Sequence, residues 1–152
     1  MQTTPVTQYV PEISFDAWKK WRDRDRPSAE LDGVPSHFGL MGLYLLATAE
    51  VDEPSDASAQ LVHLHPAVIY IGMSAHVDRR LERWHGAVGA YRRDTGDRMC
   101  RHLRYALWQS GWTNSRQREE FPVAWATVAL YERALLLSFA RAHGRLPLLN
   151  RM

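Results

Sequence analysis

The chain is short of several things, and each shortage removes a class of protein. Cys100 is the lone cysteine among 152 residues, so there is no intrachain disulfide framework and a reducing, cytoplasmic setting is expected. The opening segment MQTTPVTQYVPEISF lacks the basic stretch followed by an apolar run of a signal peptide. The uninterrupted apolar runs fall far short of the roughly 20 residues of a membrane span, so no membrane partner is expected. Lysine is confined to Lys19 and Lys20, and there is neither an internal repeat nor a low-complexity segment. What is present, 45% hydrophobic and 24% charged residues, suits a globular chain long enough to bury a core without metal or disulfide support.

The charge is unevenly spread. Residues 1–60 carry 5 Lys/Arg against 10 Asp/Glu, whereas residues 61–152 carry 14 against 7. The second part is therefore the candidate surface for a polyanion. Ten arginines lie between residues 79 and 118, among them Arg79, Arg83, Arg92, Arg93, Arg101 and Arg104, opposed there by Glu82, Asp94 and Asp97 alone. Arginine's planar fork suits bidentate phosphate contact, so these six are candidate nucleic-acid contacts; a solvated helix face is the competing account.

Periodicity divides the chain into an N-terminal arm, 1–38, and a domain, 39–152. In the arm, SFDAWKKWRDRDR predicts a short amphipathic helix with Ser14 as N-cap and Trp18 and Trp21 as a hydrophobic anchor. Leu40–Thr48 and AVIYIGMS read as strands, separated by the acidic loop VDEPSDASAQ. Val77, Leu81, Trp84 and Val88 recur at helical spacing, predicting a helix over 76–89. GDRMCRHLRYALWQSG is read as a second helix, with Met99, Leu103, Ala106 and Leu107 buried and Gly111 as its stop. FPVAWATVAL reads as a third strand and YERALLLSFARAHG as a helix ended by Gly144. The expected fold is α/β (α+β): a small, three-stranded, mostly antiparallel sheet flanked by helices.

Two tyrosines punctuate the strands, in Gly42-Leu43-Tyr44 and Tyr70-Ile71-Gly72, and Arg80 follows in RRL, Glu132 in YERALL and Asn150 in LPLLN. In this order the residues resemble the GIY-YIG endonuclease superfamily, over about residues 39–150. The resemblance implies a metal-dependent nuclease with one active site. Tyr44 would position or deprotonate the attacking water, Tyr70 would hydrogen-bond the phosphate or that water, and Arg80 would hold the scissile phosphate. Glu132 would bind a single divalent cation, Mg2+ or Mn2+, and Asn150 would close the site or tie down the C-terminus.

The chemistry is intelligible on general grounds. Phosphodiester hydrolysis needs an activated water, charge neutralisation on the phosphate and a stabilised leaving oxygen. A tyrosine serves as base only when its pKa falls well below about 10, which a nearby cation promotes. Two positions depart from the family pattern: Met73 stands where a lysine is common, and Trp84 where a His or Tyr is common. His85 is the candidate auxiliary base, but one helical step is about 100° of rotation, so it need not face the site. Glu132, read in the first turn of its helix, would also suit the helix dipole without any metal.

Other motifs are weaker. His63-x-His65 would share one strand face and suggests a metal pair that no cysteine or carboxylate completes. Trp108 and Trp112 are read as core rather than as stacking platforms. The expected partner is DNA; RNA is left open, because no residue that would sense a 2′-hydroxyl is identifiable. A monomer and a homodimer are both compatible with the chain. A non-cleaving nucleic-acid-binding module of the same fold, or a nuclease toxin with a neutralising protein partner, are the alternative readings.

Overall fold

The computed structural model of the chain describes residues 13–24, 40–53, 61–77, 85–113, 115 and 117–150. Among the described residues the helices and strands are β1 (Lys19–Lys20), β2 (Leu40–Thr48), β3 (Val68–Ser74), α1 (Gly86–Thr95), β4 (Leu103–Thr113) and α2 (Phe121–His143). The strands form one antiparallel sheet in the order β1-β4-β2-β3. It is a mixed α+β fold with four strands rather than three. The additional strand comes from the arm, where Lys19 and Lys20 pair with Tyr105 and Arg104.

β2 is central because its residues are apolar on both faces, the pattern of a strand covered on both sides. Tyr44 and Leu46 face one core, with Ala87, Val88 and Tyr91 of α1 and with Leu103 and Tyr105. Met41, Leu43 and Leu45 face the other, with Val128, Leu135 and Phe139 of α2. The sheet is thus the middle layer between α1 and α2. The arm straddles its β4 edge, since Trp21 is buried in the first core and Trp18 packs on the second.

Two elements run opposite to their expected type. GDRMCRHLRYALWQSG is not a helix; its second half is β4. Leu103, Tyr105 and Leu107 pack against one core while Ala106 and Trp108 pack against the other, an alternation that a strand satisfies as well as a helix satisfies the 3.6 period. Met99, expected to be buried, is 63% exposed, and Gly111 lies within the strand. Conversely FPVAWATVAL opens α2, with its proline in the first turn, where a missing N–H costs nothing. Ala124, Val128, Leu135 and Phe139 then form its buried stripe. The expected stop at Gly144 is the observed one, in the left-handed conformation at φ 69°.

Three smaller expectations also change. Residues 14–24 form β1 and a 3-10 turn at Trp21–Asp23, not an amphipathic helix capped by Ser14. His63 lies in a 3-10 turn, Val62–Leu64, not on a strand. The helix expected over 76–89 falls mainly on 78–84, outside the described residues, and it does not run through 85, where His85 is extended (φ −122°, ψ 127°). By length and composition alone α2 is apolar enough to cross a membrane; here it is the layer packed on the sheet.

Candidate active site

The β2–β3 hairpin is registered so that Tyr44 stands opposite Gly72, and Leu46 opposite Tyr70. Both tyrosines therefore project from the same face. Their rings stack with centroids 5.7 Å apart at 30°. Gly72 is what allows this: a Cβ there would lie 2.6 Å from the Tyr44 Cζ and hydroxyl and from Tyr70 Cε1.

His85 completes the cluster. It is the N-cap of α1, and its imidazole stands edge-on to both rings, 5.3 Å from Tyr44 and 5.4 Å from Tyr70 between centroids. The Ala87 amide donates to His85 Nδ1 at 3.0 Å, and Nε2 lies 2.5 Å from the Tyr44 hydroxyl. A backbone N–H can only donate, so Nδ1 carries no proton and the neutral imidazole is protonated at Nε2. Nε2–H accordingly donates to the Tyr44 oxygen. In this tautomer His85 cannot accept the phenol's proton. His85 faces the site because an N-cap has extended backbone; the rotation expected for a helical residue does not apply.

An open cleft of about 900 Å³ runs along the β3 edge between α1, α2 and the C-terminal tail. Tyr70, Glu132 and Asn150 line it. On the α1 side the wall is Gly86, Ala87 and Ala90, small residues whose run in GAVGAY is a signal of open space that the sequence reading missed. Tyr44 and His85 are 1% and 3% exposed, so they stand behind Tyr70, which is half-buried.

Glu132 stands at the middle of α2, not in its first turn, so the helix dipole does not account for it. Its carboxylate accepts from the Met73 amide. Burial pushes its carboxyl above the ordinary glutamate range, while the Arg133 charge and the Met73 hydrogen bond hold it down. Among the described residues no three His, Cys, Asp or Glu side chains gather as a metal-binding group. A cation here would have Glu132 as its protein ligand and would draw its other oxygens from phosphate and water, a donor set that suits Mg2+ or Mn2+.

Asn150 pairs with the backbone of Ile71 on both sides: Oδ1 accepts from the amide at 2.9 Å and Nδ2 donates to the carbonyl at 2.8 Å. With the Leu149 amide donating to the Ile69 carbonyl, the tail acts as a short extra strand flanking Tyr70. Asn150 is in this respect a positioning residue.

The arginines divide. Arg79, Arg80 and Arg83 lie outside the described residues. Arg93 is exposed and lines the cleft, and Arg101 is exposed in the turn before β4. Arg92 donates through Nε to Cys100 Sγ at 3.2 Å. Arg104 is committed internally: it is 7% exposed, and its Nε and Nη2 each reach Asp52 Oδ2 at 2.8 Å. Its Nη1 donates to the Arg101 and Leu103 carbonyls, so it ties β4 to the turn after β2 and has no free face for phosphate. His63 is buried against Ser138 Oγ at 3.1 Å, and no metal group includes His63 and His65 among the described residues. Arg133, absent from the sequence reading, also lines the cleft. No family model, curated protein or solved structure matches this chain.

Proposed function

We propose that the chain is a metal-dependent endonuclease of the GIY-YIG type that hydrolyses DNA phosphodiester bonds at the β3-edge cleft. The observation that carries this reading is convergence. Tyr70, Glu132 and Asn150, drawn from three segments, line one cleft, and Tyr44 and His85, from two more, pack directly against Tyr70.

The water's proton passes to the Tyr44 oxygen, acting as the phenolate that accepts the His85 Nε2–H. The resulting hydroxide attacks phosphorus, the opposite P–O bond breaks, and the departing oxygen takes a proton from solvent. Tyr70 hydrogen-bonds the phosphate from the cleft wall, and Arg80, by resemblance, supplies positive charge to it. A cation held by Glu132 would neutralise charge on the phosphate and the leaving oxygen.

A second reading, a nucleic-acid-binding module that does not cut, is favoured by one feature: Tyr44 and His85 are buried. Cleavage of plasmid, single-stranded and branched DNA and of RNA, with Mg2+ or Mn2+ and with EDTA, separates the two. The nuclease cuts in a metal-dependent way, and Glu132→Gln lowers the rate by about 100-fold or more. The same variant, measured in EDTA, is more stable than wild type near pH 7. The raised carboxyl means that Glu132 ionises less readily folded than unfolded, a penalty that grows as pH rises through that range and vanishes below it. A folded wild type that binds DNA and cuts none of the substrates selects the binding module.

A further inference from the structure

The cleft has two cationic walls. Arg93, in the last turn of α1, and Arg133, on α2 beside Glu132, both line it. Both are exposed. Their neighbours are spoken for: Arg92 binds Cys100 and Arg104 binds Asp52. Among the described residues neither Arg93 nor Arg133 makes an ion pair. Tyr70 and Glu132 line the same cleft. At about 900 Å³ the cleft is near the top of the roughly 300–1,000 Å³ range of small-ligand sites, and it is partly open to solvent.

From this arrangement we infer that Arg93 and Arg133 form a two-sided phosphate clamp: one nucleic-acid strand crosses the cleft from α1 to α2, each arginine holding a phosphate that flanks the one over Tyr70. The inference rests on the nuclease reading and specifies how the substrate lies. Two guanidinium forks on different helices match two separate phosphates of one backbone better than a single compact anion, because each fork can engage two oxygens of its own phosphate. Contacts to flanking phosphates are the same in the ground and transition states. They set binding rather than the chemical step. Arg93 also sits where a cation complements the C-terminal end of α1, and that purely structural role predicts a loss of stability but no change in salt dependence.

The test is fluorescence anisotropy of labelled single-stranded and duplex oligonucleotides in EDTA, from about 50 to about 200 mM salt, using the full chain and its Arg93→Gln, Arg133→Gln and double variants. Arg118→Gln, at an exposed residue paired with Glu120, is the control. The clamp predicts that each cleft variant binds about tenfold more weakly and lowers the slope of log Kd against log salt by about 0.7 on single strands, with Arg118→Gln unchanged. In cleavage assays Arg93→Gln, the variant remote from the Glu132 carboxyl, raises KM while kcat holds. If wild type binds and cuts while the double variant matches it in slope and KM, the clamp is wrong and the nuclease reading stands. If wild type binds neither oligonucleotide, both fall.

Discussion

His63 illustrates how a single residue's surroundings decide its meaning. Its sequence context, one residue from His65, suggests a metal pair. In the fold it is 3% exposed, bonded to Ser138 of α2, and burial lowers its pKa from 6.5 to about 4. The neutral form is therefore preferred in the folded state, and the unfolded chain binds the proton more readily. Stability from this residue is complete above pH 6.5 and is lost as pH falls toward 4, by an amount on the order of 2 kcal/mol. Urea titrations across that window are expected to show the loss in wild type and a flatter profile in His63→Gln, whose amide keeps a partner for Ser138; equal profiles would exclude His63 as the source. Arg104 carries the same lesson with opposite charge, since its arginine is legible as basic but its engagement with Asp52, 52 positions earlier, is not.

At the scale of the element, the start of α1 joins folding to the proposed chemistry. His85 caps the helix through Nδ1 and addresses Tyr44 through Nε2. The two roles are separable. His85→Ala removes both and is expected to cost about 1 kcal/mol of stability together with most of the cutting activity. Asparagine is among the best N-caps but is too short to replace Nε2, so His85→Asn should regain the stability and stay inactive. An active His85→Asn variant would show that Tyr44 does not depend on the imidazole. β4 and α2 show why element type was hard to read. In LRYALWQSGWT, apolar residues satisfy both a period of 2 and one of 3.6. The tie is broken by a partner distant in sequence, since β4 hydrogen-bonds β2 from Leu40↔Thr113 to Thr48↔Leu103. In FPVAWATVAL the valines and threonine favour a strand locally, yet the segment is the first part of a 23-residue helix whose stripe covers the second core.

Across the whole molecule, both edges of the sheet are closed by the ends of the described chain. At the β4 edge Lys19 and Lys20 pair as β1, and Asp16 exchanges hydrogen bonds with the Leu107 backbone through its amide and its carboxylate. At the β3 edge the tail pairs through Leu149 and Asn150. Closing an edge removes a template for pairing with another chain, and here it also builds one wall of the cleft. Asn150→Ala leaves the Ile71 amide and carbonyl without their partners. It should cost about 1–3 kcal/mol and lower activity through a displaced Tyr70, read by urea denaturation and by hydrogen exchange at Ile71; unchanged exchange would mean the tail holds without it. By itself the sequence determined the two strands bearing Tyr44 and Tyr70, the stop at Gly144 and the basic character of the second part, because local propensity and composition set all of these. Only the tertiary structure decided that 103–113 is a strand, that Glu132 meets the Met73 amide at the middle of a helix, that His85 turns toward Tyr44, and that Arg104 is spent while Arg93 and Arg133 face a cleft. Each of those depends on contacts between residues far apart in the chain, and no local pattern encodes the partner.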